Sequence, residues 1–290
     1  MAIAEPIERA PLVELPRRMR RPRLSRSRRF SWLAASLLLI TTVVAVLAPV
    51  LAPHDPTTTS IYPFASPGQH GFLLGSDSTG RDLLSRTLYG MRTSWFAALV
   101  VIVVGVLIGT LIGLVSGAFG GWIDSVLMRI TDGFLALPAP VLAIAVVAAL
   151  GVGLVHTLIA VSIVWWPFYA RIVRGEVRKL AARPHVEAAK LAGAGRLRVM
   201  LRHLLPGAIP ATVVTASLDV GNLVLTLAAL SFLGLGQAQP APELGLDSAL
   251  NITFLSQDVW VSAIPGLGVV LLALVGNIAG DGIRNLIDPE

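Results

Sequence analysis

The chain contains no cysteine, which excludes a disulfide framework, a thiolate metal site and a cysteine nucleophile. Charge is scarce as well. Charged residues make up 14% of the 290 positions, against 54% hydrophobic ones, whereas a water-soluble domain carries roughly 25% charged residues. That deficit argues against a disordered chain and against an ordinary water-soluble domain. Catalytic signatures are missing. There is no G-x-x-x-x-G-K-[ST] loop to cradle the phosphates of ATP, no H-E-x-x-H, and no Ser/His/Asp set at a persuasive spacing. The five histidines, His54, His70, His156, His185 and His203, are scattered along the chain, so neither a metal centre nor a catalytic residue is expected.

What the sequence does hold is long apolar runs. A bilayer core about 30 Å thick needs roughly 20 apolar residues in a helix. Six runs qualify or nearly so: 32–51, 95–117, 134–150, 154–170, 211–235 and 259–278. Open strands would leave backbone groups unsatisfied in lipid, so the runs predict an all-α membrane protein of six transmembrane helices. The third and fourth are short and separated only by Gly151-Val152-Gly153, which reads as a tight helical hairpin. The first run is too long for a signal-peptide core, and its best small-residue site, Val50-Leu51-Ala52, is followed by Pro53, so it is kept as a membrane helix.

The basic residues orient these helices. Nine arginines lie in 1–30, and nine more basic residues lie in the loop 171–206. With the amino terminus inside, these and Arg129 and Arg284 place 20 of the 23 basic residues in the cytoplasm, leaving only Arg81, Arg86 and Arg92 outside. The positive-inside rule therefore predicts an N-in, C-in topology. Orientation and anionic lipid account for the basic patches, and no nucleic-acid partner is called for. The expected organisation is a basic cytoplasmic tail (1–30), a first span with an outer loop (31–94), a transmembrane domain (95–280) and a short cytoplasmic tail (281–290).

Within the second run, Gly105, Gly109, Gly113 and Gly117 recur every four residues, lining one helix face where another backbone, in this subunit or a partner, can approach. Asp219 is the ionisable exception inside the spans, with Asn222 on the same face. Such a carboxyl group marks either a site on a transport pathway or a bond to a neighbouring helix. Trp165-Trp166-Pro167 predicts an interfacial belt and a kink.

Three loops carry further signals. In 171–206, Pro184 suits the first turn of a short helix, Gly193 a left-handed stop, and 196–205 a second helix halted by Pro206. Together they predict a helix–turn–helix elbow. Residues 73–93 mix leucines with Arg81, Asp82, Arg86 and Arg92, which predicts an amphipathic helix on the outer membrane surface. The outer stretch 237–258 is acidic, with Glu243, Asp247 and Asp258 and no basic residue, and reads as a connection or part of an entrance gate.

Glu187-Ala188-Ala189, Gly193 and His203-Leu204-Leu205-Pro206 resemble the EAA loop of permease subunits of binding-protein-dependent ABC importers. Gly75-Ser76-Asp77-Ser78-Thr79-Gly80-Arg81-Asp82, Ser231-Phe232-Leu233-Gly234-Leu235-Gly236 and Gly280-Asp281-Gly282-Ile283-Arg284 with Asp288-Pro289 resemble the DppC/OppC-type branch of that family, which serves dipeptides, oligopeptides and nickel. The resemblance runs from residue 72 to 289. It implies the type I ABC importer permease fold, half of a translocation pathway, a bacterial inner-membrane location and peptide cargo. It also implies a second homologous permease, two ATPase subunits that hold ATP and Mg²⁺, and an extracytoplasmic substrate-binding protein. This chain itself would hold no cofactor. The EAA residues, with His203 and Pro206, would dock on the ATPase. Relatives often carry a glutamate where this chain has Leu227, which leaves the cargo open. The alternatives are import of nickel or another small solute and, more remotely, a proton-coupled carrier or membrane enzyme using Asp219.

Overall fold

A computed structural model of the chain describes residues 24–287, with side chains from residue 31 onward. Most of the basic tail, and the Asp288-Pro289 end, lie outside the described residues. Apart from one isolated bridge, Ser76 to Asp82, the regular structure described is helical.

Among the described residues, five helical stretches are long and apolar enough to cross a membrane. They are α1 (Leu24–Leu51), α2 (Leu83–Phe119), α5 (Leu154–Ala181), α8 (Leu205–Phe232) and α10 (Val259–Ile287). Between α2 and α5, α3 (Gly121–Leu135) and α4 (Ala139–Leu150) pass the same test only as a pair, bent by 88°. The expected single span over 134–150 is thus corrected. Pro138 and Pro140 close off the helical path after Leu135, because a residue before proline is pushed out of the α region and proline donates no N–H. With 12 residues, α4 is about 18 Å long at 1.5 Å per residue and cannot cross a bilayer core alone.

The elbow comprises α6 (Pro184–Leu191) and α7 (Arg196–Val199), and α7 passes through a π-helical turn (Met200–Leu204) straight into α8. Pro206 therefore does not stop a helix. It occupies the first turn of α8, and the widened π turn before it relieves the carbonyl that a proline ring would otherwise strike. Pro167 likewise sits inside a continuous α5.

The expected surface helix over 73–93 is also corrected. Residues 73–82 form turns, with Gly75 and Gly80 at φ +86° and +78°. Asp82 caps α2 by accepting from the Ser85 N–H at 2.9 Å, so residues from Leu83 onward belong to the spanning helix.

Close backbone approach joins the main helices. A Cβ on Gly109 would lie 2.7 Å from the Trp166 carbonyl, and one on Gly113 would lie 2.4 Å from the Ala170 carbonyl. Thus the four-residue glycine stripe packs on α5 of the same chain. A second approach, absent from the sequence reading, joins α8 to α10. There a Cβ on Gly276 would lie 2.8 Å from the Gly221 nitrogen. The main core between these pairs holds Trp95, Val101, Val161, Tyr169, Leu223, Leu227 and Leu272. A smaller apolar cluster, including Leu114, Val177, Leu180, Val186, Val199 and Leu204, seats the base of the elbow on α2 and α5.

Candidate functional site

The elbow is a rigid projection with an exposed tip. Val186 is fully buried at its base, while Glu187, Ala188, Lys190 and Leu191 are exposed, Leu191 to 90%. Gly193 turns the chain at φ +83°, and its N–H donates to the Lys190 carbonyl at 3.0 Å. The Ala194 N–H donates to the Ala189 carbonyl at 3.0 Å, closing α6 in the manner of a left-handed helix stop. His203 faces His185 across the turn, with ring centroids 6.3 Å apart. Arg196 sits over the Phe119 ring, close to the point where α2 ends. Beside this region α3 is clamped to the last turns of α5. Asp124 accepts from Arg174 Nη2 at 2.7 Å and also from Arg178 and Ser116. The elbow, α3 and the C-terminal ends of α2 and α5 therefore form one packed unit.

A second feature lies near the middle of α8. Asp219 is 9% exposed. Its Oδ2 accepts from Trp165 Nε1 and, at 3.0 Å, from the Tyr169 hydroxyl, both on α5. Asn222 Nδ2 reaches Oδ1 at 3.3 Å. Trp165, Asp219 and Asn222, together with Leu135, Ala139, Val164 and Phe168, line a cleft of about 170 Å³ between the end of α3, α4, α5 and α8. Asn222 is exposed, which is costly on lipid and natural beside water or another subunit. Thr215, Asp219, Asn222 and Thr226 follow one another at four, three and four residues, so they form one polar stripe along α8. The spacing of Thr215 and Thr226 from Asp219 is the sequence signal that places them on this stripe. Leu227 is buried in the core and is not among the residues that line this cleft.

The third feature is a clasp on the opposite end of the bundle from the elbow. Arg86 is buried in the first turns of α2. It donates to both carboxylate oxygens of Asp247, on α9 (Leu244–Leu250), and to the Pro56 and Pro240 carbonyls at 2.8 and 3.1 Å. Arg81 Nε donates to Asp77 Oδ2 at 2.7 Å, and Asp77 Oδ1 accepts from Thr79 and from the Arg81 N–H. Glu243 caps α9 by accepting from the Leu246 N–H at 2.8 Å. Burial pushes its carboxyl up to about 7. The acidic stretch 237–258 is thus fastened to α2 through Asp247.

The comparisons with known proteins converge. The family model for the binding-protein-dependent transport system inner membrane component matches residues 109–290. The chain belongs to this family. Permeases of this family are transport components of the bacterial inner membrane. Among relatives of the present permease, the di/tripeptide transport system permease protein DppC of Pseudomonas aeruginosa is 40% identical over 259 residues, 87% of this chain and 86% of that protein. The probable D,D-dipeptide transport system permease protein DdpC of Escherichia coli is 38% identical over 257 residues, 89% and 86% of the two chains. The glutathione transport system permease protein GsiD of Shigella dysenteriae is 39% identical over 287 residues, 97% of this chain and 91% of that one. The fold is similar to that of a chain of the MetNI methionine ABC transporter, solved in inward-facing conformations, with a TM-score of 0.58 at 21% identity. The likeness covers 70% of this chain and 96% of that one.

Proposed function

We propose that this permease forms one half of the translocation pathway of an ATP-driven peptide importer, and that ATPase subunits drive it through the 184–206 elbow. The observation that carries the reading is the elbow's build: an apolar root fixed to α2 and α5, and an exposed tip with Leu191 and Glu187 uncovered. The exposed Leu191, with the charged Glu187 and Lys190 beside it, supports docking of a partner at the tip. A root buried in the same core as α5 transmits displacement to the helices and does not absorb it. Peptide cargo is supported by the relatives, whose names specify dipeptide, di/tripeptide and glutathione transport.

Counted as one bent crossing, α3 and α4 bring the total to six; the start of α1 and the end of α10 then lie on the elbow's side, which supports the N-in, C-in reading of the basic residues. The clasp then faces outward, where a substrate-binding protein delivers cargo. A second homologous permease completes the pathway against the polar stripe of α8. ATP and Mg²⁺ belong to the ATPase subunits. Closure of the ATPases displaces the elbow, and the bundles alternate access to the pathway between them.

The test is Gly193→Asp in the reconstituted complex. No atom lies within 4 Å of a Cβ at this position, and φ is +83°, so the substitution strains the turn without a clash. Normal assembly with loss of cargo-stimulated ATP hydrolysis and of peptide uptake is expected. Wild-type uptake would remove the elbow from the mechanism.

A further inference from the structure

We propose that Asp219 is the point on the pathway that recognises a cation on the cargo, which for a peptide is its amino-terminal ammonium group. The proposal rests on the reading of the α4–α5–α8 cleft as part of the pathway, and it names what that cleft binds.

The argument begins with charge. Asp219 lies near the centre of a spanning helix, and its three donors, Trp165, Tyr169 and Asn222, are all neutral. Among the described residues no Lys, Arg or His forms an ion pair with it. Among the other buried carboxylates, Asp77 pairs with Arg81, Asp247 with Arg86 and Asp124 with Arg174. Asp219 shares with Glu243 the lack of an ion pair, but of these two it is Asp219 that lies within a spanning helix. An ionisable group at membrane depth marks a functional site, and a carboxyl group there without a counter-charge is a place that a cation from outside the chain can complete.

Geometry continues it. Trp165 and Tyr169 both hold Oδ2, which fixes the carboxylate on α5. Oδ1 carries only the long contact from Asn222, and both side chains line the cleft. The cleft's about 170 Å³ is more than the roughly 30 Å³ share of a water molecule. It admits an ammonium group with its first carbons and is too small to enclose a peptide, so recognition would be of one end. Phe168, half-exposed on the cleft wall, adds an aromatic ring of the kind that attracts ammonium groups. An amino-terminal ammonium is the cation that unmodified peptides share, whatever their side chains, which suits a pathway that tolerates varied cargo.

The chain lacks cysteine, so Asp219→Cys places a single thiol in it. The test uses the assembled importer in vesicles, with cysteines of the other subunits replaced and a free-amino dipeptide as cargo. Uptake is expected to fall about tenfold, to recover several-fold after reaction with a sulfonate-bearing thiol reagent, and to stay low after reaction with an ammonium-bearing reagent of similar size. Unchanged uptake, no reaction with either reagent, or equal recovery with both would overturn the proposal.

A second variant, Asp219→Asn, keeps the size and the acceptor oxygen. Uptake per ATP hydrolysed is expected to drop several-fold in a complex that still assembles with its ATPase subunits. Loss of assembly would mean a structural carboxylate and overturn the proposal. Raising the pH from 7 to 9 deprotonates a peptide amine, whose usual pKa is about 7.7–8.0. Wild-type uptake per ATP should fall over that range and the Asn variant's should not. A wild-type ratio unchanged by pH would assign the charge to a cation of the second permease and overturn the proposal. If the wild-type complex hydrolysed ATP yet imported no peptide, the parent reading would be the one that failed.

Discussion

Arg86 and Asp247 stand 161 positions apart in the sequence and meet as a two-pronged ion pair, their side chains 1% and 4% exposed. Both Asp247 oxygens accept from the guanidinium, and the remaining Arg86 nitrogen reaches two carbonyls on separate loops. One side chain thus ties together the loop after α1, the start of α2, and α9. Removing it would strand a buried carboxylate and two carbonyls. Arg86→Ala is expected to destabilise the permease by about 3–5 kcal/mol. Arg86→Lys should recover only part of this, because an ammonium cannot reproduce the planar fork. Thermal unfolding of the purified permease in detergent, wild type against both variants, checks the order.

The glycine stripe gives a sharper contrast. A Cβ on Gly113 would sit 2.4 Å from a backbone oxygen of α5, whereas one on Gly175, in the interior of α5, would meet nothing within 4 Å. Gly113→Ala should therefore cost about 1–3 kcal/mol through forced separation of the helices. Gly175→Ala should be neutral or stabilising by up to about 1 kcal/mol, since alanine is the better helix former. Equal effects in unfolding measurements would mean that the α2–α5 approach does not depend on small residues.

Glu243 supplies a dependence on pH. Burial raises its carboxyl from the ordinary 4.5 to about 7, and burial also raises that of Asp247, against the opposing charge of Arg86. A carboxyl that holds its proton more tightly in the folded state stabilises the fold below its unfolded value. That stability is lost as pH rises from about 4.5 through about 7. The melting temperature should fall across this window. Glu243→Gln, which keeps an acceptor for the Leu246 N–H, should make the slope shallower without removing the share due to Asp247. An unchanged slope would rule out Glu243 as its source.

The sequence carried much of this architecture for identifiable reasons. Five apolar runs became spanning helices because membrane length and hydropathy are local properties, and Gly193 became a left-handed turn because few other residues take that conformation. Two devices escaped. The expected surface helix over 73–93 failed because a leucine–arginine pattern looks the same whether the arginines face water or a carboxylate 161 residues away. The π turn before Pro206 was missed because the rule that proline ends a helix assumes regular spacing on its N-terminal side. Asp219 stood out by charge alone, but its tie to Trp165 and Tyr169 is a contact between helices that no local pattern encodes.

The drive of the permease through its elbow can be tested most directly by cross-linking. Because the chain has no cysteine, Ala188→Cys on the exposed face of α6 offers one thiol to cysteines placed singly around the surface of the ATPase subunit. The expected result is a covalent adduct at a defined groove on that subunit, formed in the assembled importer, with peptide uptake arrested and then restored by reductant. Absence of any adduct, or an adduct that leaves uptake at the wild-type rate, would contradict it.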